Sequence, residues 1–158
     1  ITHGEYIYNR EQDKVYLVEI TARGGGVYLA SHLTPLATGV NVNRLLAEYS
    51  VGNDPLRENG LVLGKGAAAW YAFSLPKGQI VSVEGLEEAR SLEGVNAIID
   101  DKFFVGKKTT EMVDDSGKFG PILIYADTRD ACYRIFDKVK QILKIKVKTP
   151  DGEKGIIW

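Results

Sequence analysis

The sequence predicts an α+β fold, an antiparallel sheet with flanking helices. Three observations point there. Runs rich in Val, Ile, Tyr and Phe sit only a short turn apart, as 2–9 with 15–20 and 66–73 with 79–84, so neighbouring strands read as hairpins. Helical periodicity is confined to a few segments, clearest at 128–143 with Ala131, Ile135, Val139 and Ile142 on one face. No regular strand–helix alternation of the kind that winds a parallel sheet is present.

In chain order, 2–9 reads as a strand, Asn9 to Lys14 as a turn and 15–20 as the returning strand. Ala22-Arg23-Gly24-Gly25-Gly26 is a flexible loop, and a helix is expected over 27–36, broken at Thr38-Gly39. Asn41 caps a second helix that runs to Tyr49, and Gly52-Asn53-Asp54-Pro55 is a loop. A second group of elements begins near Leu61, with strands over 66–73 and 79–84 around the turn Leu75-Pro76-Lys77-Gly78. A short helix over 86–92 ends at Gly94, and 95–104 is strand-like. Residues 107–118 are polar, with room for one short strand. Strand 122–126 then leads into a long helix capped by Asp127 or Thr128 and ending near Leu143, and the tail 145–158 adds one short strand. The expected division is 1–60 and 61–158, packed as one globular unit.

The bulk composition excludes several classes. The 158 residues carry a net charge of -1 with no basic block, which argues against nucleic acid as a partner. No apolar run is long enough to span a bilayer, and no charged segment followed by an apolar one marks a signal peptide. The single cysteine, Cys132, cannot form an internal disulfide, and its helical context makes it a small buried residue. A reducing, cytoplasmic setting is expected.

The first hairpin carries the most chemistry. A connection with an odd number of residues, such as 10–14, sets Glu5 opposite Glu19, whereas an even one puts them on opposite faces. Like charges directly opposite destabilise a sheet, with Cβ atoms about 5 Å apart. Two such carboxylates suit magnesium, which takes oxygen ligands and completes its shell with water and phosphate. Thr21 and Arg23 follow on the side of Glu19. The other reading, two solvated glutamates on an exposed face, stays open from spacing alone. Arg23-Gly24-Gly25-Gly26 before a helix offers accessible N–H groups and a planar guanidinium fork, a cradle for an oxyanion or phosphate; the P-loop spacing is absent, and the bland reading is a flexible connection. His3 and His32 lack a Ser or Cys partner and read as structural or surface residues. Lys65-Gly66 resembles a phosphate motif only superficially, and Asp100-Asp101 and Asp114-Asp115 read as solvated turns.

Taken together, His3-Gly4-Glu5-Tyr6-Ile7 and Tyr16-Leu17-Val18-Glu19-Ile20-Thr21-Ala22-Arg23-Gly24-Gly25-Gly26 resemble the signature of the ATP-grasp superfamily. There, one glutamate and the glutamate of an E-[IMV]-N-x-R-x-G-type motif hold magnesium and the phosphates of ATP. Pro35 to Val40, Tyr49 to Gly52, Leu75 to Val95 and Gly120 to Leu143 are similar to the C-terminal portion of the branch with biotin carboxylase, carbamoyl-phosphate synthetase and L-amino-acid ligases. The resemblance implies the C-terminal part of an ATP-grasp fold, with 1–60 as the C-terminal half of the catalytic region and 61–158 as an α+β subdomain. It implies a carboxylate–amine ligase working through an acyl-phosphate. Glu5 and Glu19 would bind Mg2+, with Mn2+ as an alternative, together with Thr21. Ile7 would pack on the adenine of ATP, Arg23 would hold the acyl-phosphate, and Gly24, Gly25 and Gly26 would line the phosphate or acceptor side. Thr21 stands where the family has asparagine. The implied partners are a carboxylate substrate, an amine acceptor, the rest of the parent chain or a partner subunit, and a second copy in a homo-oligomer. The family's lysine-bearing glycine-rich lid is not found in this sequence. The chain therefore reads as a fragment that is inactive alone, with a non-catalytic ATP-grasp-like binding domain or one chain of a split ligase as alternatives.

Overall fold

A computed structural model describes residues 1–60, 63–64 and 66–158. It divides into two compact units, Ile1–Gly64 and Lys65–Trp158. The expected onset at Leu61 and the Lys65 of Lys65-Gly66 fall outside the described residues.

The first unit opens with an antiparallel hairpin of β1 (His3–Asn9) and β2 (Lys14–Thr21). Asn9 pairs with Lys14, so the turn is the four residues 10–13 and not the odd connection expected. Its polar residues tie it down: the Asn9 side chain accepts from the Gln12 amide, the Tyr8 hydroxyl donates to Asp13, and the Tyr16 hydroxyl donates to Gln12. An even turn alone would set Glu5 against Val18. The register instead shifts between Glu5 and Tyr6: Tyr6 pairs with Leu17 but Glu5 pairs with Glu19. Val18 is the extra residue of a β-bulge, and it restarts the alternation of faces along β2.

The helix expected over 27–36 is displaced. Val27 and Tyr28 lie at positive φ (44° and 65°), which no right-handed helix tolerates. A π-helical turn then spans Leu29–Leu33 and continues as α1 (Thr34–Thr38), closed by Gly39 in the left-handed conformation. The second helix, α2 (Val42–Ser50), is capped by the Asn41 side chain on the Arg44 amide. Beyond it, α3 (Pro55–Asn59) occupies part of what reads as loop; Asp54 caps it on the Arg57 amide, with Pro at the first helical position.

In the second unit a three-stranded antiparallel sheet has the order β3-β7-β5 and a four-stranded one the order β6-β4-β8-β9. The strands are β3 (Ala67–Phe73), β4 (Gly78–Glu84), β5 (Val95–Ile98), β6 (Lys108–Thr109), β7 (Phe119–Ala126), β8 (Lys144–Thr149) and β9 (Gly152–Lys154). β5 stops at Ile98 where a strand to 104 was expected; the chain turns so that Phe103 enters the core. The tail gives two strands rather than one, and Ser74 and Ile157 exchange backbone hydrogen bonds beyond them. Along β8 the alternation is complete: Ile145 and Val147 are buried, and Lys144, Lys146 and Lys148 are exposed. The short α4 (Leu86–Arg90) starts from Gly85 at φ 72°, where an added Cβ would run into the Ile142 carbonyl.

The long helix α5 (Arg129–Ile142) is capped by Thr128, whose hydroxyl accepts from the Ala131 amide. Its inward face is Cys132, Ile135, Phe136, Val139 and Ile142; Cys132 and Phe136 complete the stripe, and Ala131 lies outside it. Tyr71 stacks on Phe136 at 3.7 Å, and Phe73 is ringed by Phe103, Phe119 and Trp158. Cys132 is fully buried, and burial pushes its thiol up from its ordinary range, which fits a packing residue rather than a nucleophile.

Candidate functional site

The β1–β2 hairpin brings the predicted carboxylates together. Paired residues of an antiparallel ladder share a face, so His3–Thr21, Glu5–Glu19 and Ile7–Tyr16 form three successive rows on one side. Gly4–Ile20, Tyr6–Leu17 and Tyr8–Val15 form the other. The bulge decides this arrangement. Strict alternation would put Glu19 with Val15 and Leu17; the extra Val18 moves it to the face of Tyr16. On the opposite side the exposed Tyr6 ring lies over Gly4, and a Cβ there would push that ring aside.

Glu5 and Glu19 are exposed, and among the described residues no ion pair reaches either. The pair gathers negative charge that no ion pair among the described residues offsets. The adjoining row is different. His3 and Thr21 are half-buried, and the His3 Nδ1 and Thr21 Oγ1 atoms are buried without a hydrogen-bond partner among the described residues. Ile7, one row the other way, presents an exposed apolar side chain opposite Tyr16. Among the described residues no three of His, Cys, Asp and Glu come together in a way that could hold a metal by themselves. Two carboxylates and a hydroxyl fit an ion whose remaining ligands arrive with water and phosphate, as is usual for magnesium. The orphaned Thr21 hydroxyl is the observation that favours this fit.

Arg23 lies beyond Thr21 and donates from Nη1 to the Gly24 carbonyl at 2.8 Å. That one bond leaves the rest of its donor fork available. The three glycines play different parts. A Cβ at Gly25 would press on the Leu29 side chain, Gly24 faces the Ala30 Cβ, and Gly26 opens onto free space. None of the three needs a positive φ; the left-handed residues are Val27 and Tyr28 just after them. A β-branched residue at φ 44° is a strained backbone position, a kind that collects at functional sites. The Tyr28 carbonyl accepts from both the His32 and Leu33 amides, and the Tyr28 ring meets the His32 ring edge-on at 5.1 Å. His32 Nδ1 is 2.8 Å from Ser31 Oγ. The expected helix N-terminus behind the glycines is thus a strained turn, and any anion held there would meet Arg23 and the Gly26 backbone rather than a helix end.

Sequence reasoning passed over the Val27–Tyr28 strain and the unsatisfied His3 and Thr21 atoms. The first has no local signal, since neither residue favours positive φ. The second had a partial one, because His3 stands two residues from Glu5.

No protein-family model and no curated protein matches the sequence. Solved structures do. The chain superposes on an L-amino acid ligase from Bacillus licheniformis with a TM-score of 0.74 and 21% identity, over 94% of this chain and 36% of that one. It also superposes on a phosphoribosylglycinamide synthetase from Anaerococcus prevotii with a TM-score of 0.71 and 18% identity, over 93% of this chain and 37% of that one. The chain spans little more than a third of either enzyme. At these identities the likeness establishes the fold, a segment of the ATP-grasp fold.

Proposed function

We propose that this chain, built on a segment of the ATP-grasp fold, is the C-terminal part of an ATP-dependent carboxylate–amine ligase that works through an acyl-phosphate. The observation that carries the reading is the bulge-set pairing of Glu5 with Glu19 on one open face. In the reaction, the carboxylate substrate attacks the γ-phosphorus of ATP, the bond to ADP breaks, and the amine then displaces phosphate from the acyl carbon. Glu5 and Glu19, with Thr21, would hold Mg2+ or Mn2+, which would supply neutralisation of charge on the transferred group. Arg23 aims its fork at the same group and stabilises the charge by preorganised hydrogen bonding. Gly26 lets the phosphate or acceptor approach the backbone closely, and Ile7 offers an apolar surface for the adenine. The regions beyond this segment, in the same chain or a partner subunit, supply the lid and the rest of the substrate pocket. The setting is cytoplasmic.

A second reading rests on Thr21. The family's asparagine would reach further than a threonine hydroxyl, so a scaffold that binds nucleotide without turnover is the alternative. Titration of the chain with Mn2+ and ATP tests the carboxylate site that both readings share. Weak binding that Glu5→Gln and Glu19→Gln abolish, with no ATP hydrolysis by the segment alone, is expected. Micromolar Mg-ATP affinity insensitive to either substitution would overturn the assignment of the carboxylates.

A further inference from the structure

Four buried side-chain N or O atoms lack a hydrogen-bond partner among the described residues, and two of them, His3 Nδ1 and Thr21 Oγ1, belong to one cross-strand pair. A buried polar group left unpaired costs about 1–3 kcal/mol. Two such costs on facing residues, in the row beside two unbalanced carboxylates, mark a place where polar atoms arrive from elsewhere. Resting on the reading of Glu5 and Glu19 as ligands of the ion, we infer that His3 is a positioning residue that hydrogen-bonds a phosphate oxygen of the nucleotide brought in with that ion.

Spacing separates this role from direct ligation. Same-face rows of a strand lie about 7 Å apart. Magnesium binds oxygen at about 2.1 Å, and its ligands are themselves hydrogen-bonded at about 3 Å. An imidazole one row from the carboxylates is therefore placed for the ion's oxygen ligands rather than for the ion. The absence of a three-residue metal cluster among the described residues agrees. By the same spacing Thr21, opposite His3, would hold the ion through one of its oxygen ligands rather than directly.

The test uses the chain itself, with Mn2+ as the probe in electron paramagnetic resonance, titrated alone and as Mn-ATP. His3→Ala is expected to weaken Mn-ATP binding about tenfold, the size of one lost hydrogen bond to a charged group, and to change Mn2+ binding less than about twofold. His3→Gln, which keeps a polar side chain, recovers part of the loss. Glu19→Gln weakens both forms. If His3→Ala binds Mn-ATP like the unaltered chain while Glu19→Gln does not, the inference fails and the carboxylate reading stands. Loss of Mn2+ alone in His3→Ala, as deep as in Glu19→Gln, would make His3 a ligand and overturn the positioning role. No Mn2+ binding by the unaltered chain, or none sensitive to Glu19→Gln, would overturn both.

Discussion

The two units divide labour unevenly. Every fully buried residue among those described lies in the second unit, from Phe73 to Val147, and none lies in Ile1–Gly64. The first unit instead carries the candidate chemistry on a hairpin whose Tyr6, Ile7, Val15 and Leu17 are each about half exposed or more. One unit is stabilised by burial and holds no candidate catalytic group; the other holds the groups and buries little. An isolated two-stranded hairpin is marginal in water. The site residues are thus mounted on the part of the chain least able to stabilise itself.

The sharpest way to break this contrast is to truncate each unit in turn. Phe73→Ala should destabilise the second unit by about 3–5 kcal/mol. Both tryptophans lie there, so a fluorescence-monitored urea melt reads that unit. Leu17→Ala should leave that melt unchanged and cost the hairpin under about 1 kcal/mol, measured by amide exchange in 3–21. Equal losses from the two truncations would show that the hairpin is as well packed as the core.

Arg23 separates function from folding next. If the chain belongs to the ligase proposed above, Arg23→Lys in the full-length enzyme should lower kcat and kcat/KM together on the order of 10²–10³, since lysine keeps the charge but not the fork. Its thermal melt should stay within about 0.5 kcal/mol of the parent. Near-normal kcat would reduce Arg23 to a loop residue.

Smaller effects sharpen the comparison. Thr128→Ala removes the cap of α5 and should cost about 1 kcal/mol in the tryptophan melt. Glu19→Gln should have the opposite sign in the first unit: without an ion it removes a like-charge pair and should slow hairpin amide exchange by a few tenths of a kcal/mol. Faster exchange would mean that Glu19 has a partner. The smallest effect is local. Asp54 is held below the ordinary carboxylate range by the Tyr49 hydroxyl foremost and then by the Arg57 amide. The bond is present above that range and is lost as pH falls through the lowered value. The Arg57 amide resonance should therefore shift below about pH 4, the ordinary carboxylate value, and Asp54→Asn should remove that shift.

Much of the second unit was legible because its signals are local. The Thr128 cap and most of the α5 stripe follow from side chains within one element, Ala131 apart. The first unit was legible in outcome more than in cause. Glu5 does face Glu19, yet through an even turn and a bulge that no local propensity at Val18 announces. The strain at Val27–Tyr28 runs against local preference altogether, so the helix expected from 27 could not start there. The α3 helix is a different kind of miss: Asp54 followed by Pro55 is a helix-start signal present in the sequence and read as part of a loop.

The Val18 bulge also sets how the hairpin can vary over evolutionary time. A turn that gains a residue while the strand pairs and the bulge stay keeps both glutamates on the same face. Loss of the bulge, with Val18 taken into the ladder, throws them apart. Fourteen positions separate Glu5 from Glu19 here, but that separation is one of several that build the same row. Insertions in the turn are thus tolerated while the bulge is kept, and comparisons that demand a fixed gap between two such glutamates will miss chains whose turn has lengthened.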